Sequence, residues 1–318
     1  MCMRYRSAGF KGYSVKFSPF SDSLLAAATS ANFGLVGNGK LCVLSTHAQG
    51  PAAGLAPRQE YDTQDGLFDL TWSEIHENQL ATASGDGSIK LWDITLAGYP
   101  VAKWHEHKRE AMSVEWNYMS KTTFLSSSWD GSAKLWNPNA PQALRTFAEH
   151  TGCVYTAAWS PRSPDQFATC SEDKTVKLWS TGEPSAKSLM TFGGHVDQVI
   201  SLDWNKYMPS QFVTSSVDRT IKTWDIRNPR GQVAMFGPFE FSARRVKFSP
   251  FSPNFIATAG YDMSASVWDV RTGAVVYVHD AHKEFVFGVD WSLFHPGQIA
   301  TCSWDEYINV FNVPIPQN

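Results

Sequence analysis

Apolar and polar residues alternate along most of the chain in short runs rich in valine, isoleucine, leucine, threonine and tryptophan. A period of two with these residue types is typical of β-strands. Short polar turns, most of them with an aspartate, separate pairs of such runs. The pattern therefore predicts a chain built from many short strands joined by tight turns.

The strands belong to a repeat. Six segments align without gaps, and their turn aspartates are spaced 44, 43, 45, 44 and 43 residues apart. The segments are Leu80–Asp93, Phe124–Asn137, Phe167–Ser180, Phe212–Asp225, Ile256–Asp269 and Ile299–Asn312. The turn aspartates are Asp86, Asp130, Asp173, Asp218, Asp262 and Asp305. A looser seventh copy, Tyr13–Leu44, has Phe17 where most other copies have a tryptophan.

A period of roughly 40–45 residues with a Trp-Asp ending is the signature of WD repeats, which form four strands per propeller blade. Seven copies predict an all-β fold, a seven-bladed WD-repeat β-propeller, as a single domain over residues 1–318. The abundant aromatic residues then fill the space between blades. We expect the ring to close through the N-terminal segment, about Met3–Arg6, which would add the outer strand to the blade that ends at Phe311.

The turn aspartates have a structural role in this kind of repeat. A histidine in the preceding connection, a serine or threonine on the second strand and the tryptophan of the third strand complete a hydrogen-bond network that pins the blade. Three blades carry the full set: His107, Ser126, Asp130 and Trp136; His150, Thr169, Asp173 and Trp179; His195, Thr214, Asp218 and Trp224. Thr63 and Phe239 replace histidine elsewhere and Phe311 replaces tryptophan, so we expect those blades to be less tightly pinned. Because the set recurs, it does not indicate a catalytic triad.

Charge and cysteine content narrow the function classes. The net charge is −3 without a basic run, which argues against nucleic acid as a partner. Five scattered cysteines form no CxxC pair, and the histidines show no metal-ligand spacing, so we expect reduced thiols, no metal and no cofactor. With no signal peptide and no transmembrane segment apparent, the sequence predicts a cytoplasmic protein.

Several segments depart from a generic WD repeat. They are Gly12–Phe20, Asn32–Lys40, Asp65–Asp69, Arg244–Pro250, Tyr261–Met263 and His282–Gly288. Together they resemble the receptors for type-2 peroxisomal targeting signals, over essentially the whole chain. The Asn-Phe-Gly-Leu turn and the Asp-Gly-Leu-Phe-Asp segment are the most specific parts of this resemblance.

The resemblance implies an import receptor that shuttles between the cytoplasm and the peroxisome. Such receptors bind an N-terminal nonapeptide of matrix enzymes such as thiolase, roughly Arg-Leu, five variable residues, His or Gln, and Leu. It also implies a peroxisomal co-receptor and a docking complex at the peroxisomal membrane as partners. We expect the free receptor to be a monomer.

The spacing of that signal has a physical meaning. Positions 1 and 8, like positions 2 and 9, lie seven residues apart and so share one face of an α-helix about 13 Å long. A basic, apolar amphipathic helix needs carboxylates for its arginine and an apolar surface for its leucines.

Aligning the blades on the last aromatic residue of the first strand places acids and aromatics at the end of the ring that carries the turn aspartates. The candidates for peptide binding are Asp65, Glu110, Trp129, Glu172, Asp197, Tyr261, Glu284, Phe285 and Trp304. Asp65 and Glu110 are the first choices for pairing the arginine. Alternatively, the acids, Glu172 and Glu284 above all, are solvated rim charges, and Trp129 and Trp304 only pack against a neighbouring blade.

Two other classes of function stay open on the sequence. A generic WD-repeat scaffold, such as a histone-binding or ubiquitin-ligase adaptor, would be expected to carry partner motifs outside the ring, and this chain is nearly all ring. A propeller enzyme would need an organised central site, and no acid–base pair stands out from the repeats.

Overall fold

Seven four-stranded antiparallel sheets make up the fold in a computed structural model that describes residues 2–46 and 54–315. Strand β1 spans Met3–Arg6. Blades one to three contain β2 (Lys11–Phe17), β3 (Leu24–Ser30), β4 (Gly39–Ser45), β5 (Ala56–Thr63), β6 (Leu67–Trp72), β7 (Gln79–Ser84), β8 (Ser88–Asp93), β9 (Ala102–His105), β10 (Ala111–Trp116), β11 (Phe124–Ser128), β12 (Ala133–Trp136) and β13 (Arg145–Phe147).

The remaining blades repeat this arrangement with strands of three to six residues. Blades four to seven contain β14 (Val154–Trp159), β15 (Gln166–Ser171), β16 (Val176–Ser180), β17 (Met190–Phe192), β18 (Val199–Trp204), β19 (Gln211–Ser216), β20 (Ile221–Asp225), β21 (Ala234–Phe236), β22 (Ala243–Phe248), β23 (Phe255–Gly260), β24 (Ala265–Asp269), β25 (Ala274–His279), β26 (Val286–Trp291), β27 (Gln298–Ser303) and β28 (Tyr307–Asn312). A short 3-10 turn, Asn32–Gly34, is the only helical element among the described residues.

The blades form a closed ring. The innermost strand of each blade contacts that of the next, and β26 of blade seven contacts β2 of blade one. The outer strand of blade seven is β1, which pairs antiparallel with β28 from Met3 opposite Val310 to Arg6 opposite Tyr307. The predicted propeller and its closure by the N-terminal strand are therefore confirmed.

Aromatic side chains fill the space between adjacent sheets. In one such layer, Trp104 of blade two packs on Phe124 and Trp136 of blade three, with ring centroids 5.5 and 6.1 Å apart. Four third-strand tryptophans, Trp92, Trp136, Trp179 and Trp224, are fully buried. A blade exposes both faces when alone, so burial of these rings requires the neighbouring blades.

The predicted blade networks are formed. His107 Nδ1 lies 2.9 Å from Asp130, its Nε2 lies 2.7 Å from Ser126 Oγ, and Trp136 donates to the same hydroxyl at 2.8 Å. Equivalent contacts occur at His150, Asp173, Trp179 and at His195, Asp218, Trp224.

Blade seven holds a fourth histidine–aspartate pair that the sequence pattern does not reveal. His282 lies 3.0 Å from Asp305 and 2.9 Å from Thr301. Phe311 replaces the tryptophan, and its ring stacks on His279 with centroids 3.8 Å apart. The missing tryptophan thus hides a blade network that is otherwise intact.

Every innermost strand contains a β-bulge at its start. A bulge adds one residue to a strand and redirects its side chain. The bulged residues lie four positions before the last aromatic residue of each strand: Tyr13, Phe68, Met112, Tyr155, Ile200, Arg244 and Phe287. They lie near one end of the central channel, which we call the turn face because it carries the turns between second and third strands.

Candidate functional site

The turn face brings the predicted rim positions together. In each of blades two to seven, the residue before the turn aspartate donates its main-chain N–H to a main-chain oxygen in the connection that leads into the innermost strand. The accepting residue lies six positions before the last aromatic residue of that strand. Trp129 donates to Glu110 at 3.0 Å and Trp304 donates to Phe285 at 3.0 Å. The alignment of blades made from sequence therefore corresponds to adjacent residues in the structure.

An aromatic floor covers the middle of this face. Four buried bulge residues, Tyr13, Phe68, Met112 and Phe287, form its centre, and partly buried rings surround them: Trp129, Tyr155, Tyr261, Phe285 and Trp304. The four aromatic candidates from the sequence thus belong to one cluster.

Trp304 joins blades seven and one within that floor. Its indole stacks on Phe287 with centroids 4.5 Å apart and meets Tyr13 at 5.9 Å and Phe33 at 5.2 Å. Trp304 thus packs against the neighbouring blade, as the alternative interpretation held, and still keeps part of its surface exposed.

Three carboxylates lie on the side of blades two and three, and two of them have ion-pair partners: Asp86 pairs with Lys103 at 3.2 Å and Glu110 with Arg109 at 3.6 Å. Asp65 is partly buried and accepts a hydrogen bond from the Gly66 N–H at 2.8 Å. Burial raises its pKa, and the carboxylates of Asp86 and Glu110 also raise it, whereas the Gly66 hydrogen bond and Lys90 lower it. Within the described residues Asp65 has no ion-pair partner within 4 Å, so a positive charge placed here would relieve repulsion.

The other three predicted acids differ in their surroundings. Glu172 accepts the Cys153 N–H at 3.0 Å, and this bond keeps its pKa low. Asp197 accepts the Gln198 N–H at 2.8 Å and is partly buried. Glu284 is exposed. These acids rim the floor on blades four, five and seven and are farther round the ring from Asp65.

Arg109 already occupies part of the surface. Its guanidinium carbon lies 5.4 Å from the ring centroid of Trp129, and its Nε lies 3.6 Å from a Glu110 oxygen. Its side chain is 54% exposed. The sequence places Arg109 at a rim position but does not reveal that it covers one of the candidate aromatics.

Other residues of the face also escape the sequence patterns. The bulged residues could have been found, because all share one position relative to the last aromatic residue of their strands. Arg244 is one of them; it is buried, and its guanidinium carbon lies 5.2 Å from the Phe287 centroid. Leu35 and Val36, which follow the 3-10 turn, are 85% and 76% exposed at the edge of the same face.

Among residues 2–46 and 54–315, no cluster of three or more histidine, cysteine, aspartate or glutamate side chains could hold a metal ion. The same residues contain no helix with the length and apolar character needed to cross a bilayer.

The class of protein follows from comparison with known families. Residues 58–93, 98–137, 141–180, 186–225 and 273–312 match the WD domain, G-beta repeat family, and these segments cover more than half of the chain. The protein is therefore a WD-repeat propeller whose turn face carries an aromatic floor edged by acids.

Whole-chain relatives define the family more narrowly. The peroxisomal targeting signal 2 receptor of Mus musculus is 40% identical over 309 residues, 96% of this chain and 95% of that protein. The receptor of the same name from Dictyostelium discoideum is 44% identical over 293 residues, 91% of each chain, and that from Komagataella phaffii is 37% identical over 372 residues, 97% of this chain and 98% of that protein. The chain belongs to the peroxisomal targeting signal 2 receptor family.

Proposed function

We propose that this propeller is an import receptor that binds the type-2 targeting signal of peroxisomal matrix proteins as a short amphipathic helix on its turn face. The observation that carries the proposal is the Asp65 carboxylate, which has no ion-pair partner within 4 Å among the described residues and lies at the edge of the aromatic floor, where it and Phe68 both adjoin Gly85. A basic, apolar helix meets its two requirements on adjacent surfaces there.

The charge distribution gives the bound helix a direction. Asp65, which has no ion-pair partner within 4 Å among the described residues, lies on blade two, whereas the buried Arg244 lies on blade six beneath the floor. A signal arginine near Arg244 would be repelled, and one between Asp65 and Glu110 would be attracted. The arginine therefore lies over blades two and three, and the leucines lie on the aromatic floor.

The floor also offers polar contacts to a helix. Trp129 Nε1 is buried without an acceptor among the described residues. A buried unpaired N–H costs stability that a ligand carbonyl or carboxylate recovers. Trp129 therefore contributes a hydrogen bond as well as apolar area once Arg109 moves aside.

Delivery requires further proteins. In this proposal a co-receptor covers the outer side of the bound helix, and a docking complex at the peroxisomal membrane receives the loaded receptor, which returns to the cytoplasm. Leu35 and Val36 extend the apolar surface beyond the floor and suit a second protein that contacts both the receptor and the signal. The receptor itself performs no chemistry.

The proposal is tested by pull-down of the purified receptor with the N-terminal segment of a signal-bearing thiolase. We expect retention of that segment and loss when its arginine and first leucine are both replaced by alanine. Equal retention of both segments would show that the interaction does not read the signal.

A further inference from the structure

The end of the ring opposite the turn face, which we call the loop face, contains a cavity of about 170 Å³ on the channel axis. A cavity of that size has room for on the order of ten water molecules, or for one long side chain. Five carboxylates and four cations line it: Asp69, Glu74, Glu115, Asp203 and Asp290, with Lys16, Lys206, Arg245 and Lys247.

The deeper charges are paired across blades. Arg245 lies 3.4 Å from Asp69, and both are nearly fully buried.

One position before the last aromatic residue of each innermost strand lies a second set of channel residues: Lys16, Thr71, Glu115, Ala158, Asp203, Lys247 and Asp290. We call this set the charged layer.

Acids of the charged layer bridge to the next blade in two ways. Asp203 accepts the Phe248 N–H at 2.8 Å and pairs with Lys247 at 2.8 Å. Asp290 accepts the Phe17 N–H at 3.0 Å and pairs with Lys16 at 3.7 Å. In both cases the lysine occupies the charged-layer position of the following blade.

Glu115 makes the hydrogen bond to the main chain of the next blade but not the ion pair with a lysine there. It accepts the Trp159 N–H at 2.6 Å, but the next blade has Ala158 where a lysine would complete the pair. Within the described residues it has no ion-pair partner within 4 Å. Burial raises its pKa, while Lys247 and Lys16, which pair with other acids, lower it from beyond that distance.

The bridge alone does not explain a carboxylate at this position. Thr71, its equivalent in blade two, accepts the Trp116 N–H at 3.1 Å with a neutral hydroxyl. The negative charge of Glu115 is thus more than the ring needs for its own hydrogen bonds, and a partly buried carboxylate without a contact ion pair is costly.

An apolar ring lies next to the cavity lining, because each of its members directly follows a residue that lines the cavity. Three residues after the last aromatic of the innermost strand, six blades carry a large apolar or aromatic residue that is 38% to 53% exposed. These residues are Phe20, Ile75, Met119, Tyr207, Phe251 and Phe294. In each turn, the serine or asparagine two positions before the ring residue accepts the main-chain N–H of that ring residue. This hydrogen bond accounts for the serine or asparagine, but the turn does not require an apolar side chain at the ring position.

We propose that the loop face is a second protein-docking site, which takes a partner segment with a lysine or arginine side chain in the cavity beside Glu115 and with apolar flanking residues on the apolar ring. The inserted cation supplies the charge that Ala158 does not, and the flanks cover exposed apolar surface. The site is separate from the turn face and does not depend on the proposed receptor function.

The test uses the full-length protein and a capped peptide with one central lysine flanked on each side by two leucines and a serine. Indole N–H signals report the face that binds, because five tryptophans line the cavity, Trp72, Trp116, Trp159, Trp204 and Trp291, whereas Trp129 and Trp304 lie on the turn face. We expect the peptide to shift the first group. We expect binding to weaken roughly tenfold when norleucine replaces the lysine, as for the loss of one charge-assisted hydrogen bond.

Variants separate the two parts of the site. Glu115→Gln keeps the acceptor for Trp159 and should weaken the lysine peptide about tenfold, whereas Glu77→Gln, an exposed acid on the same face, should not. Phe294→Ser should weaken it several-fold, whereas Met235→Ser on an outer strand should not.

Four results would overturn the proposal. They are the absence of any shift at millimolar peptide, equal binding of the norleucine peptide, undiminished binding by folded Glu115→Gln, and binding of n-butylammonium alone as tightly as the peptide. The last result would identify a small-cation site and not a docking surface.

Discussion

The guanidinium of Arg109 lies over the indole of Trp129, 5.4 Å from the ring centroid, and its Nε lies 3.6 Å from Glu110. The receptor therefore places one of its own cations where a basic ligand would find both an aromatic face and a carboxylate. In the proposed binding mode Arg109 competes with the ligand, and its side chain moves when the site fills.

Replacement of Arg109 should accordingly strengthen signal binding. We expect Arg109→Gln to bind a signal peptide about two- to fivefold more tightly, the equivalent of one exposed cation–π contact. Fluorescence anisotropy of a labelled peptide measures the change. Arg162→Gln, on the loop face, is the matched control and should leave the affinity unchanged. Weaker binding by Arg109→Gln would mean that Arg109 itself contacts the ligand.

Closure of the ring depends on a short strand. Besides its pairing with β28, the strand β1 donates from the Tyr5 hydroxyl to Glu60 of blade one and from Arg6 to Glu306 at 3.0 Å. Deletion of residues 1–10 leaves β28 with an open edge and removes these contacts. We expect the truncated protein to lose its cooperative melting transition or to aggregate, as followed by circular dichroism during heating.

A milder change tests the same seam. Tyr5→Phe keeps the strand and removes only the hydrogen bond to Glu60, so it should lower the free energy of unfolding by about 1–2 kcal/mol. Chemical denaturation measures this loss. A truncated protein that melts like the full-length chain would contradict the closure scheme.

Blade seven should respond to mild acid. The pKa of His279 is lowered from 6.5 to about 4, chiefly by burial and also by the nearby side chains of His282 and Arg4, while Asp280 opposes the shift. Because the unfolded chain binds this proton first, the contribution is complete above pH 6.5 and is lost as the pH falls to about 4. The loss amounts to as much as about 3 kcal/mol.

His279→Phe separates this effect from other titrating groups. The variant keeps a ring to stack on Phe311 but loses the contact with Asn309, which lies 3.3 Å from His279 Nε2. It should be less stable than the wild type at pH 7, and this gap should narrow or reverse near pH 4.5 in urea denaturation. A gap that stays constant over that range would show that His279 does not titrate as described.

Repetition explains how much of the fold the sequence predicts. The turn aspartates mark each blade, and the period-two pattern marks each strand, so blade number and the pairing of Met3–Arg6 follow from chain geometry alone. The sequence pattern does not reveal the network of His282, because Phe311 stands where blades two to six have tryptophan. The fold accommodates this phenylalanine by stacking its ring on His279.

The candidate site is predictable in position but not in detail. Rim residues such as Glu110 and Trp129 follow from blade alignment, because the equivalent backbone hydrogen bond joins such residues in blades two to seven. The side-chain contacts of these residues cannot be predicted in this way. The guanidinium of Arg109, for example, lies over Trp129 only because of the conformation of the arginine side chain. The aromatic floor depends on bulges that turn residues such as Tyr13 toward the channel, and alternation alone does not reveal a bulge.

The affinity of a signal peptide for charge-reversed receptors tests the central claim most directly. Asp65→Lys and Glu110→Lys, with unchanged circular dichroism, should each weaken binding at least about thirtyfold, the cost of replacing an attractive contact by a repulsive one in a partly desolvated site. Glu115→Gln on the loop face should bind the signal as the wild type does. Unchanged affinity in both turn-face variants, or a loss confined to Glu115→Gln, would contradict the account.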